Sequence, residues 1–439
     1  MRRVLMVAFH FPPLAAGSGI QRTLRFAQQL PAHGWEPAVL TVHPRVHRPS
    51  DRAPAAVSAA ADADPSARAA ATLDGLPDGM PVHRSFALDA ARDLAVRGRY
   101  LGWTARPDRW ASWRAFAVRD GLRLIERWKP DLLWSTYPIA TAHAIGAELQ
   151  RRSGLPWVAD FRDPMAQDGY PADPATWRSF QRIEETAMRR ARAAVFTTPG
   201  AARDYRARYP DAGARLAVIE NGYDEASFAA ASREAGRDAG PLAPGRLTLL
   251  HSGIVYPSER DPSALFAALQ ALRAAGRLPP GRMRIRFRAP VHDALLHGLA
   301  RRHGVEDLVE VCPPLGYRAA LAEMLRADGL LLLQAANCNA QVPAKFYEYL
   351  RAGRPVLALT DPAGDTAGAL RAAGLGAGIA PLDAAGAITE LLPRFLDALD
   401  RGDAPRPRPE AVAQASREAR TRALAALLDA SLGAAGARP

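Results

Sequence analysis

Short apolar runs recur along the chain, and between them apolar residues return at every third or fourth position. Val4 to Phe9 is one such run, a helical pattern covers about Ile20 to His33, and Pro37 to Val42 is the next run. Runs too short for a helix, alternating with amphipathic stretches, predict β-α-β units. Further strands are predicted at Asp131 to Ser135, Trp157 to Asp160, Ala194 to Thr197 and Leu216 to Ile219. A second series follows at Leu247 to His251, Met283 to Phe287, Leu308 to Val311, Gly329 to Leu333 and Val356 to Leu359. Strands alternating with helices imply parallel sheets covered on both faces. The expected fold class is α/β, two doubly wound domains facing across a cleft, with ligands at the carboxyl ends of the strands.

The places where this pattern stops set the boundaries. From about 45 to 80 an Ala, Asp, Pro and Ser stretch carries too little large apolar content to bury itself, which predicts a mobile insertion. Residues 225–245 turn to Ala, Gly, Asp and Pro and read as a linker. The expected division is a first domain over 1–224, a second over 246–404, and a terminal segment over 405–439. In that segment a bridge containing Pro405, Pro407 and Pro409 leads to a helix over Glu410 to Leu432 that crosses back to the first domain. A chain of 439 residues exceeds the usual size of one hydrophobic core, which agrees with two.

Composition narrows the partners. Met1-Arg2-Arg3 followed by Val4 to Phe9 is too short an apolar run for a signal peptide and meets Pro12 and Pro13, so it reads as a first strand. No run approaches the roughly 20 apolar residues of a membrane-spanning helix. The expected location is cytoplasmic, with peripheral contact at an inner membrane surface. Cys312 and Cys338 show neither metal-ligand spacing nor a disulfide framework. A net charge of +12 favours anionic partners, among them nucleotide phosphates, polyprenyl phosphates, acidic lipids and nucleic acid.

The stretch from Gln341 to Leu357 carries the most specific chemistry. Pro343 suits a helix start, and Gly353 with Pro355 suits its end. The N-terminal amides and Lys345 then form a diphosphate site. Glu348, one turn on, accepts ribose hydroxyls. The competing reading is a surface Lys–Glu pair worth roughly 0.2–0.5 kcal/mol. This stretch resembles the signature of family 4 glycosyltransferases of the GT-B fold, which has two facing Rossmann-like domains and a nucleotide-binding Glu on a second-domain helix before a Gly-x-Pro-Val strand. Members commonly carry another Glu eight positions earlier, reaching the donor sugar; here that position is Ala340.

The resemblance extends to four loops. His251 to Pro262, including Gly253 and Ser258, matches the loop that holds donor phosphates, with Arg260 as its basic residue. Such a guanidinium binds phosphate oxygens and neutralises charge as the glycosidic bond breaks. Gly17, Ser18 and Gly19, with Arg22 behind them, match the glycine-rich loop beside donor and acceptor. Asp160 and Arg162 match polar residues lining the acceptor side, whereas Asp163 before Pro164 is also an ordinary helix cap. Asn221 and Asp224, within Asn-Gly-Tyr-Asp, match the end of the first domain and read as hinge residues or as a simple turn.

The resemblance implies transfer of a sugar from a nucleotide diphosphate sugar to a glycan or lipid-linked acceptor. It further implies retention of configuration, and a role in cell-envelope or extracellular polysaccharide synthesis. Asp160, Arg162, Arg260 and Lys345 are the expected catalytic residues. No Asp, His or Glu cluster suggests a metal, and no cofactor is expected beyond the donor as co-substrate. Arg97, Arg99, Tyr100, Trp103, Arg106, Arg109, Trp110, Trp113 and Arg114 suit an anionic membrane surface, a partly buried core segment or single-stranded nucleic acid. Two alternatives stay open: a nucleotide-sugar epimerase on the same fold, and a non-enzymatic polyanion-binding protein. Nucleic acid is not the expected partner, because charge alone does not account for Lys345 and Glu348 after a buried strand.

Overall fold

The computed structural model describes residues 1–14, 18–47, 76, 79–236 and 240–433. Most of the insertion read at 45–80 lies outside the described residues, and with it the mobility expected there. The chain forms two compact units, Met1–Glu220 with Arg417–Pro439, and Asn221–Ser416.

The first unit has strands β1 (Arg2–Ala8), β2 (Trp35–Val42), β3 (Val82–Ser85), β4 (Leu132–Thr136), β5 (Trp157–Arg162), β6 (Ala193–Phe196) and β7 (Leu216–Val218). They form one sheet in the order β3-β2-β1-β4-β5-β6-β7. Every pairing in it is parallel. Alternate residues of β1 face opposite sides, as a strand requires. Leu5 and Val7 join one apolar layer with Leu40, Leu133 and Trp157. Val4 and Met6 join the other with Trp134, Phe26, Leu424 and Leu428. Leu424 and Leu428 belong to helix Arg417–Gly433, so the last helix completes a core begun by the first strand.

The expected helix over Glu410 to Leu432 is two helices, Pro409–Gln414 and Arg417–Gly433. The Ala415 carbonyl between them accepts from the Tyr223 amide at 3.1 Å. The division between units falls directly after Ser416.

The second unit has β8 (Leu247–Ser252), β9 (Met283–Arg288), β10 (Val309–Cys312), β11 (Gly329–Leu333), β12 (Val356–Leu359) and β13 (Ile379–Ala380). Their order is β10-β9-β8-β11-β12-β13, again all parallel. The linker expected over 225–245 is not what the structure places there. Helix Glu225–Ala235 occupies most of it, capped by the Asp224 carboxylate on the Ser227 amide at 3.0 Å. Phe228 and Ala231 are fully buried in the layer that also holds Leu250, Leu330 and Tyr349. Between its charged ends, Glu225 and Arg233-Glu234, the other positions are Ala and Ser, small enough to pack closely. Among the described residues no helix is long and apolar enough to cross a membrane.

Candidate functional site

In the second unit β8 and β11 are neighbours from which the strand order runs outward in both directions. Such a switch point leaves a crevice at the carboxyl ends of the two strands. The end of β8 supplies His251 and then Gly253, and the chain leaving β11 leads to helix Lys345–Ala352. His251 is fully buried. Its Nδ1 lies 3.0 Å from the Leu331 carbonyl and its Nε2 lies 3.0 Å from Lys345 Nζ. A carbonyl only accepts, so Nδ1 carries the hydrogen and Nε2 accepts from Lys345.

Gly253 has φ 107°, and a β-carbon there would stand 3.3 Å from Lys345 Nζ. The backbone conformation favours glycine at this point, and a side chain there would press on the Lys345 amine. Arg260 Nη1 donates to the Ile254 carbonyl at 2.7 Å, and its guanidinium lies over the Tyr256 ring. That bond closes the loop on itself and holds the charge near Lys345, whose amine feels it. Glu348, one turn further along the helix, accepts from Tyr317 Oη at 2.9 Å. Tyr349 Oη accepts the Ser252 amide at 3.0 Å, which ties this helix to the end of β8. Gln334 Nε2 donates to the carbonyls of Cys338 and Gln341, both at 3.0 Å, and Asn337 Nδ2 donates to the Ser258 carbonyl at 3.0 Å. Ser258 thereby reaches the site through its backbone as a brace for the loop.

Desolvation, then the Arg260 charge, holds the Lys345 amine well below the usual lysine range, with Glu348 pulling it back up. Desolvation, then Lys345, holds His251 well below the usual histidine range. Lys345 and Arg260, basic groups with little internal neutralisation, are the arrangement a phosphate oxyanion stabilises. A cavity of about 490 Å³ opens beside the same loops, but Asp261, Asp361 and Asp383 line it together with Ala335, Ala336 and Leu382. Its sign is wrong for a phosphate, whereas the Lys345–Arg260 end carries basic groups.

The first unit changes the reading of several expected site residues. Asp160 is fully buried with both carboxylate oxygens on Arg22, at 2.8 and 3.2 Å. Arg22 is equally buried and also donates to the carbonyls of Ile219 and Glu220 at 2.9 and 3.0 Å. Neither is a side chain open to an acceptor: the pair joins helix Ser18–Gln29, β5 and the chain after β7. Arg162 has φ 61°, sits at an irregularity in the β5–β6 pairing, and reaches the Tyr137 carbonyl at 3.4 Å. Its Nε is buried without a hydrogen bond, and desolvation lowers its pKa. Asp163 beside it is exposed. Arg162 also acts on His10, in the loop after β1, whose pKa falls to about 4 through burial first and then Arg162 and His47. Gly17 lies outside the described residues, and Ser18 and Gly19 open helix Ser18–Gln29. The unit boundary falls between Glu220 and Asn221, and Asp224, read as a hinge residue, is the helix cap described above.

Residues 18–222 match the family model of the glycosyl transferase 4-like domain. The chain carries a glycosyl transferase 4-like domain. It is a glycosyltransferase of the GT-B fold; the family match lies almost wholly in the first unit and does not reach the Pro343 to Leu357 stretch from which the resemblance is read. Solved structures show the same fold at low identity. Sucrose-phosphate synthase from Thermosynechococcus elongatus has 14% identity and a TM-score of 0.65, with 99% of this chain and 100% of that one covered. α,α-Trehalose 6-phosphate synthase from Burkholderia multivorans has 14% identity and a TM-score of 0.61, covering 99% and 98%. Anabaena HepE in complex with UDP and glucose has 14% identity and a TM-score of 0.57, covering 99% of each. No curated protein sequence matches the chain.

Several parts of the glycosyltransferase's candidate site carried no role in the sequence reading. His251 stood in the quoted loop only as a strand residue, and Tyr317 and Gln334 were not singled out. A histidine ending a strand at a switch point is the one signal that points to it. The cationic and aromatic span also divides. Trp113 is core, and Arg109 is paired with Asp89 at 2.7 Å. Val96, Leu101 and Trp103 are exposed by 76%, 64% and 69%.

Proposed function

We propose that this glycosyltransferase takes a nucleotide diphosphate sugar as donor on its second unit and passes the sugar to a glycan or lipid-linked acceptor on its first. The observation that carries the reading is the convergence of Lys345, Arg260 and Glu348 around Gly253 at the β8–β11 switch point. Lys345 and Arg260 neutralise the diphosphate as it leaves, the electrostatic work a metal ion does elsewhere, which supports a metal-independent reaction. Glu348 takes the ribose hydroxyls. HepE, a structural neighbour, was solved with UDP-glucose, which agrees with a uridine nucleotide. Retention of configuration and a role in envelope or extracellular polysaccharide synthesis follow the family resemblance. On the first unit, the exposed Asp163 is the residue offered to an acceptor, with the buried Arg162 beside it.

The exposed Val96, Leu101 and Trp103 sit among Arg97, Arg99 and Arg106. Exposed apolar side chains interspersed along the chain with exposed arginines suit the headgroup layer of an anionic bilayer, which supports peripheral attachment to the inner membrane.

Calorimetric titration with UDP, GDP and ADP, without metal, tests the donor site. One diphosphate should bind, and Glu348→Ala and Arg260→Ala should each weaken it by about tenfold or more, as expected for a hydrogen bond to a charged group. Binding to none of the three, or binding indifferent to both substitutions, overturns the reading.

A further inference from the structure

Lys345 is an unusual phosphate ligand in one respect. Its amine meets a fully buried imidazole nitrogen at 3.0 Å, where a carboxylate would ordinarily stand. We propose that binding of a diphosphate at this site is coupled to uptake of one proton by Lys345, with His251 as the positioning residue for its Nζ. The inference rests on the donor-site reading above.

The geometry restricts which group takes the proton. His251 Nδ1 is committed to the Leu331 carbonyl, which fixes the tautomer and leaves Nε2 as an acceptor. An acceptor at that distance serves a neutral amine and an ammonium equally well, so Nζ keeps its place in both states. The charged and titratable groups facing Lys345 are His251 from β8, Arg260 from the following loop, and Glu348 and Tyr349 from its own helix. Tyr317 acts behind Glu348 from helix Tyr317–Arg326, and Cys338 lies in the loop before the helix. Arg260 opposes a charge on Lys345, and Glu348, engaged by Tyr317, offsets it in part. Desolvation acts in the same sense as Arg260, so both bias the half-buried amine of the free protein toward its neutral form. A diphosphate reverses the balance. Its oxygens place negative charge beside the Arg260 guanidinium and the Lys345 amine, and the amine lone pair takes a proton from solvent to become an ammonium that donates to the phosphate while still donating to His251 Nε2. His251 stays neutral throughout.

The consequence is a pH dependence of opposite sense to that of a simple salt bridge with a permanently charged lysine. Above the pKa of Lys345 in the free protein and below its value in the complex, Kd should rise tenfold per pH unit. The measurement is calorimetric titration of the full chain with UDP, GDP and ADP near pH 8, above the phosphate ionisation at about 6. Buffers of different ionisation enthalpy are compared. For the diphosphate that binds, the wild type should show uptake approaching one proton. Lys345→Met should bind more weakly and show none. His251→Phe should weaken binding by about tenfold and lower the proton uptake, and His251→Gln, which restores an acceptor near Nε2, should recover much of both. Thermal melts of each variant separate these effects from loss of fold. Binding without proton uptake in the wild type, or unchanged uptake in Lys345→Met, overturns the inference while leaving the donor site standing. Binding to none of the three diphosphates overturns the donor-site reading itself and the inference with it.

Discussion

Replacing Asp160 by Asn tests whether this carboxylate serves chemistry or structure. The substitution keeps the shape of the side chain but turns one acceptor toward Arg22 into a donor and leaves the buried guanidinium uncompensated. Arg22 and Asp160 are both buried to within 2% of full burial, so solvent cannot replace the lost partner. Breaking one side of such a pair costs about 3–5 kcal/mol. The double replacement Arg22→Met with Asp160→Leu should cost less, about 2 kcal/mol, because it removes both charges. It loses only the bonds from Arg22 to the Ile219 and Glu220 carbonyls, at about 1 kcal/mol each. Urea unfolding of the full chain, followed through tryptophan fluorescence, gives the comparison, since Trp35, Trp134 and Trp157 are all buried in the first unit. A single variant that keeps wild-type stability while losing transfer activity would refute the structural assignment and return Asp160 to the acceptor side.

Gly253→Ala should destabilise the second unit by about 1–3 kcal/mol, since alanine is strained at φ 107°. It should also weaken diphosphate binding, because the new methyl stands 3.3 Å from Lys345 Nζ; unchanged melting and titration would dismiss both claims. Burial lowers the His143 pKa from 6.5 to about 3, so the folded protein holds it neutral while the unfolded chain protonates it. Its contribution is therefore intact above about pH 6.5 and is lost as pH falls toward 3, at up to about 1.4 kcal/mol per pH unit. In His143→Gln the loss of stability between those limits should be shallower by up to one proton, as read from urea midpoints across the range; an equal slope would show that His143 is not the group responsible.

What the sequence made legible follows from how locally each feature is written. Central parallel strands are apolar on both faces, so Leu330 to Leu333 and Val4 to Val7 announce themselves without a partner in view. Two of the edge strands do not. β3 reads Val-His-Arg-Ser and β13 is only Ile379–Ala380, and neither carries an apolar run. Helix Glu225–Ala235 was hidden for a related reason, since Phe228 is its one large apolar residue. In the site, Lys345 and Glu348 are one helical turn apart and flanked by Pro343 and Gly353, so their spacing alone places them on one face. Asp160 misled because its partner Arg22 lies 138 positions away, and a single sequence offers no sign that a polar strand residue is already satisfied. His251 and Lys345 are 94 positions apart, and their contact needed the fold.

The route of the chain through the first unit has a bearing on synthesis. Its core closes with Leu424, Ala425 and Leu428 from helix Arg417–Gly433, after the whole second unit has been made. At about 5–20 residues per second, the intervening stretch takes on the order of 10–40 s to emerge from the ribosome. For that interval the face bearing Val4, Met6 and Phe26 waits without its covering helix, while Asn221–Ser416 is free to fold as each of its strands arrives. The unit that begins first is thus the one that finishes last, and the newborn chain has the greatest need of chaperone protection along its earliest strands.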